Sequence, residues 1–222
     1  CKLSFISDHS MNLRVKLTPE ETRLRIIEVA EEQFRRVGYA KTAVADIAEV
    51  LGMSSGNVYR FFPTKSAINE AICIRILSEA HDLIDRIVSS GKSAPERLME
   101  LLLELNRFNR SRFIGERRVH EMVEVAMEEN WSAVETHMAF VVERIGRIIA
   151  DGIEAGVFRP CDPGQTAFAV KCTCTSILHP VMIAECMRHG RDMEQLASLV
   201  AGFVVNALKV LSLIHISEPT RP

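Results

Sequence analysis

The chain has 222 residues, 47% hydrophobic and 25% charged, with 11 Gly, 8 Pro and a formal charge of −2. At roughly 100–200 residues per domain this is one medium domain or two small ones, and the composition excludes wholesale disorder. No apolar run reaches the about 18 residues needed to cross a bilayer, the start does not resemble a secretory leader, and six Cys without CxxC pairing fit reduced thiols in a cytoplasm.

Charge is unevenly spread. Residues 11–65 carry nine Lys/Arg against seven Asp/Glu, residues 66–222 carry seventeen against twenty-one, and no acid lies between Glu49 and Glu70. The first Met is Met11, and the chain closes on a polar, Pro-containing stretch after a helical pattern. Residues 1–10 and 212–222 therefore read as a non-native leader and tail and are kept out of the fold argument.

Thr18-Pro19-Glu20-Glu21 is a helix start: a Thr cap, Pro in the first helical position and an acid to close the capping box. Leu24, Ile27, Ala30, Phe34 and Val37 follow at helical spacing, and Gly38 stops the helix. Thr42 is placed to cap a second, short helix with Val44, Ile47, Ala48 and Leu51 inward. Gly52 breaks it, Ser54 caps a third helix ending at Phe61 or Phe62, and Thr64 caps a fourth that continues to about Val88. Ser89–Ser93 is a loop. Helices are expected over about 95–110, 112–128 and 131–155, then from Pro163 to about His189, then to Leu211. The pattern has no convincing strand, so the fold class is all-α with about nine helices.

The last helix is apolar on both flanks of its stripe, through Leu196, Leu199, Val200, Phe203, Val204, Ala207 and Leu208. So broad a face exceeds the needs of one core. It is expected, with Cys172, His179 and Ile183 of the preceding helix, to form a two-fold four-helix interface in a homodimer.

Residues 43–62 place two short helices around a tight Gly turn, the signature of a helix-turn-helix. A major groove about 12 Å wide admits the second of these helices. Its outer side offers Ser54, Ser55, Gly56, Asn57, Tyr59 and Arg60, with Lys65 just beyond, and the missing acids remove repulsion from phosphates. Thr42, Asp46-Ile47-Ala48, Gly52-Met53-Ser54, Gly56, Val58-Tyr59, Phe62 and Lys65 together resemble the DNA-binding domain of the TetR family of bacterial repressors. The resemblance is dense over about 20–66. It implies a DNA-binding domain over 18–66 and a helical effector-binding and dimerisation domain over 67–211. It also implies phosphate contacts from Thr42, Tyr59 and Lys65, and base reading by Ser54, Ser55, Asn57, Val44 and Ala45. Many relatives carry a longer polar side chain where Ala45 stands.

Other signals are weaker. Gly91-Lys92-Ser93 ends like a phosphate-binding loop but lacks its first Gly, and no catalytic motif is present, so no enzyme and no cofactor is expected. Cys172, His179 and Cys186 repeat every seven residues, which puts adjacent members about 10 Å apart along a helix, too far to share a metal within one subunit. A thiol- or metal-responsive regulator on the same scaffold, with these groups meeting across a dimer, is the alternative, and a helical protein-interaction module without DNA binding is another. Arg107, Arg110, Arg112, Arg117 and Arg118 read as a solvated basic surface paired with Glu121 and Glu124. His120, Met122, Trp131, His137, Met138 and Phe140 are the candidate walls of an effector pocket. The expected whole is a cytoplasmic homodimeric repressor that holds a pseudo-palindromic operator and leaves it on binding a small molecule.

Overall fold

The computed structural model describes residues 17–113, 125 and 131–210. Over these residues it is helical apart from turns and one isolated antiparallel bridge between Phe158 and Lys209. Ten helices are described: α1 (Pro19–Val37), α2 (Val44–Val50), α3 (Ser55–Phe61), α4 (Lys65–Val88), α5 (Ala94–Phe113), α6 (Trp131–Glu154), α7 (Pro163–Thr173), α8 (Thr175–Leu178), α9 (Pro180–Arg188) and α10 (Met193–Leu208). The expected termini at 1–10 and 212–222 lie outside the described residues, as do most of the helix expected over 112–128 and Arg117, Arg118, Glu121 and Glu124.

The helix starts follow from local chemistry. Thr18 accepts a hydrogen bond from the Glu21 N–H at 3.2 Å while the Glu21 carboxylate accepts one from the Thr18 N–H at 2.7 Å, a complete capping box. Ser54 and Thr64 likewise accept from Asn57 N–H and Ala67 N–H. Thr42 does not cap α2. Its hydroxyl donates to the Gly38 carbonyl at 2.8 Å, and the cap position falls to Ala43, whose N–H is held by the Asp46 carboxylate. Leu24 is exposed rather than inward, because α1 turns Ile26, Ile27, Val29, Ala30 and Phe34 to its neighbours.

Two apolar cores share α4. Ile68, Ile72 and Ile76 close the core of α1–α3, while Ile84, Ile87 and Val88 belong to the core of the remaining helices. The junction is also ionic: the Glu31 carboxylate of α1 pairs with Arg35 on its own helix at 3.0 Å and with Arg75 of α4. In the larger core, α6 packs on α7 and α10 on α5. Gly152 lets α6 approach the ring of Phe158 so closely that any side chain there would collide with it.

The stretch expected as one helix from Pro163 to His189 is three. Cys174 leaves helical geometry at ψ 6° and His179, preceding Pro180, is held extended at ψ 123°. Cys172, His179 and Cys186 therefore do not share one continuous face. Likewise α5 runs unbroken to Phe113, past the expected boundary near 110.

The outer face of α10 is narrower than its sequence pattern. Val204 and Leu208, and Ile183 of α9, are buried within the subunit and so are not interface residues. Leu199 and Phe203 stand outward at 65% and 70% exposure, next to the exposed Ala207, with Leu196 and Val200 at the margin.

Candidate nucleic-acid interface

The turn between α2 and α3 is built from short-range contacts. Gly52 takes φ +64°, a left-handed conformation that a side chain would strain, and the Met53 N–H then returns to the Ala48 carbonyl at 3.0 Å. Ile47, Ala48, Val58 and Phe62 fix the two helices against α1 and α4 from inside. Arg23 of α1 lies over the Phe62 ring at 4.2 Å and donates to the Phe61 carbonyl, so the end of α3 is held from both sides.

What remains outward on α3 is small and polar at its start and larger at its end. Ser54, Gly56, Tyr59 and Arg60 are exposed, and Ser55 and Asn57 are half-buried. The Asn57 amide donates only a long contact, 3.8 Å, to the Met53 sulfur. Ala45 is exposed on α2, whereas Val44 is only 6% exposed and packs inward, so it does not face a partner. Thr42 is 2% exposed and its hydroxyl is engaged by Gly38, which makes it a support of the α1–α2 turn rather than an outward donor.

Lys65 explains that turn's position. Its ammonium donates to the carbonyls of Tyr39 at 2.8 Å and Thr42 at 3.1 Å and sits 4.3 Å from the Tyr39 ring centre. It ties the start of α4 to the turn before α2, leaving its third proton free of these two bonds. The nearest acid to α3 in the sequence, Glu49, is on α2, while Asp46 is engaged at the α2 cap. The outer side of α3 therefore carries no negative charge of its own.

The larger helical unit holds a cavity of about 60 Å³ walled by α5, α6, α7 and α8. Of the expected pocket residues, His137 and Met138 line it. Phe140 does not, but stacks on His81 of α4 with ring centres 3.9 Å apart. His120 and Met122 lie outside the described residues, as does the Trp131 side chain. The sequence reading missed His81, Asn109, Lys171 and Thr175. The last three come together only through the packing of α5, α7 and α8, which no periodicity discloses, and His81 meets His137 only where α4 packs on α6.

His81 Nε2 and His137 Nδ1 are 3.1 Å apart, one donating and the other accepting. Burial, and secondarily His81, pushes His137 down to about 4, so it is neutral at physiological pH. Burial also lowers His81 against the opposing pull of Asp85. Arg144 closes the group, with its guanidinium 4.2 Å from the Phe140 ring and its Nε 2.6 Å from the Asp85 carboxylate.

The basic cluster pairs differently from expectation among the described residues. Arg107 engages Glu104 and Glu194, Arg110 engages Glu194, and Arg112 engages Glu79. Among the described residues no three His, Cys, Asp or Glu side chains converge as a metal site requires. Cys172 is exposed, Cys186 half-buried, and Cys174 so buried that its thiol is pushed up to about 12.

Residues 26–72 match the family model of bacterial regulatory proteins of the tetR family, and residues 94–200 match tetracyclin repressor-like C-terminal domains; together these span more than half the chain. The HTH-type transcriptional regulator YhgD of Bacillus subtilis is 23% identical over 189 residues, taking in 82% of this chain and 94% of YhgD. The HTH-type transcriptional regulator TtgR of Pseudomonas putida is 31% identical over 136 residues, 56% of this chain and 64% of TtgR. SmeT, repressor of the Stenotrophomonas maltophilia multidrug efflux pump SmeDEF, superposes with a TM-score of 0.64 at 20% identity over 85% of this chain and 90% of SmeT. At that identity the likeness is one of fold.

Proposed function

This chain belongs to the TetR family of DNA-binding transcriptional regulators, and from that premise we propose that it is a cytoplasmic homodimeric repressor released from its operator by a small molecule. The carrying observation is the outer side of α3: polar, free of acids, small at its start, and clamped from behind by Val58 and Phe62. Each subunit inserts α3 into the major groove of one half of a pseudo-palindromic operator, the two copies about one helical turn, roughly 34–36 Å, apart. Ser54, Ser55 and Asn57 face base edges, and Ala45 offers a methyl-sized contact. Tyr59, Arg60 and the remaining proton of Lys65 hold phosphates.

The second copy is seated on the outward face of α10. Leu199 and Phe203 on α10, and Phe168 on α7 one turn before Cys172, are large apolar side chains left exposed, and the second copy covers them. The effector site is the cavity at His137, and its occupant shifts α4, the helix that belongs to both cores. SmeT supports this reading, since it is a repressor and has also been seen as a complex with triclosan.

The test is binding to an operator recovered by selection from random duplexes. Asn57→Ala is expected to relax base preference at one position per half-site, and Arg60→Ala to weaken all sequences alike. Equal affinity of the unaltered protein for selected and random duplexes would contradict the reading.

A further inference from the structure

Among the described residues that line the cavity, none is acidic. Lys171 lines it, and among the described residues no carboxylate is within ion-pair distance of its ammonium, which lies 6.0 Å from the Phe168 ring. His179 also lines it, and its Nδ1 is buried without a hydrogen-bond partner. The other polar groups are already engaged: the Asn109 amide donates to the Leu178 carbonyl at 2.6 Å and the Thr175 hydroxyl to the Cys172 carbonyl at 2.8 Å. Apart from His137, the other described lining residues, Leu105, Met138, Val141 and Leu178, are apolar.

We propose that this cavity takes a compact monocarboxylate, its oxygens placed between Lys171, His179 and His137 and its short apolar body against Leu105, Met138 and Val141. This assignment rests on reading the cavity as the effector site. A cation would meet Lys171 head-on, and a neutral guest would leave the Lys171 ammonium without a counter-charge among the described residues. A carboxylate supplies acceptors for both unengaged donors, in the charge-assisted form that is strongest. Inorganic phosphate has no apolar body to occupy the opposite wall. A volume of about 60 Å³ restricts the guest to a small one, for which butyrate is the probe.

His137 couples the guest to α4. Its Nδ1 is engaged by His81, so Nε2 is its only other polar atom. A carboxylate oxygen at Nε2 requires a hydrogen there. Neutral His137 must then accept at Nδ1, with His81 Nε2–H donating, so the guest fixes the tautomers of both rings. His81 is a positioning residue that passes this constraint to the helix carrying the DNA-reading unit.

Calorimetric titration of the full chain with butyrate, butyramide, butylammonium and inorganic phosphate tests the chemistry. Butyrate is expected to bind at least ten-fold more tightly than any of the others. Lys171→Met should remove that preference, and Lys171→Arg should restore most of it, with melting temperatures unchanged. His81→Phe should keep butyrate affinity within about three-fold but abolish the butyrate-dependent change in hydrogen exchange across residues 76–85. Equal binding of butyramide, or a Lys171→Met variant that still prefers butyrate, overturns the carboxylate assignment. An unchanged exchange response in His81→Phe overturns the coupling. The effector-site reading fails separately, if a compound that releases DNA still does so when Met138→Trp fills the cavity.

Discussion

The DNA-reading unit and the effector unit treat their polar groups in opposite ways. Around the start of α2 the polar side chains serve nearby backbone: Thr42 holds Gly38, Lys65 holds Tyr39 and Thr42, and Asp46 holds Ala43. In the effector unit, Asn106 Oδ1, His179 Nδ1 and Arg97 Nε are buried without partners, and His137 is held neutral by burial. The first arrangement makes a surface of fixed shape. At His179, which lines the cavity, the second leaves hydrogen-bonding capacity for a guest to satisfy. A regulator requires both, because a fixed reader is useful only when its placement answers to something that can change.

The largest expected effect concerns assembly. Leu199→Glu with Phe203→Glu should give a monomer by light scattering and lower operator affinity by 100-fold or more, about 3 kcal/mol, because only one half-site is then held. A folded dimer with these charges would remove α10 from the interface. Glu31→Gln comes next, since it removes the charge that pairs Arg35 and Arg75 across the junction. A loss of about 3 kcal/mol in denaturant unfolding is expected, and a loss confined to α1–α3 would show that the two units unfold separately.

The histidine pair gives a pH signature to the effector unit alone. His137 is pushed from its ordinary 6.5 down to about 4 in the folded chain. The unfolded chain therefore takes up the proton first as pH falls. The stability this neutral ring contributes is complete above about 6.5 and is lost towards 4, up to about 3 kcal/mol. His137→Phe should flatten that part of the stability profile, and an unchanged profile would assign it to other groups.

Smaller effects sharpen the reader. Lys65→Ala should weaken binding to every duplex and lower the salt-dependence slope by about one phosphate. Arg188→Ala, in an exposed pair with Glu185, should change stability by less than about 0.5 kcal/mol.

The same contrast decides what could be read from the sequence. Caps at Thr18, Ser54 and Thr64, the Gly52 turn and the boundaries of α3 and α4 depend on residues within a few positions of one another, so they were legible. Thr42 was misassigned because its hydroxyl has two acceptable local partners, and burial selects the carbonyl of Gly38. Val204, Leu208 and Ile183 looked outward because a helical pattern shows which residues are apolar but not which neighbour covers them, whereas Val44, inward by its pattern, took an outward role only from the family resemblance. The cavity was illegible for the same reason: Lys171 and His137 meet only after α6 packs on α7.

The most direct test of the account is guanine N7 protection on a selected operator. Two symmetric blocks of major-groove protection centred about ten base pairs apart are expected, with Asn57→Ala altering base preference inside both blocks and nowhere between them. A single block, or protection confined to the minor groove, would contradict a paired α3 as the reading element.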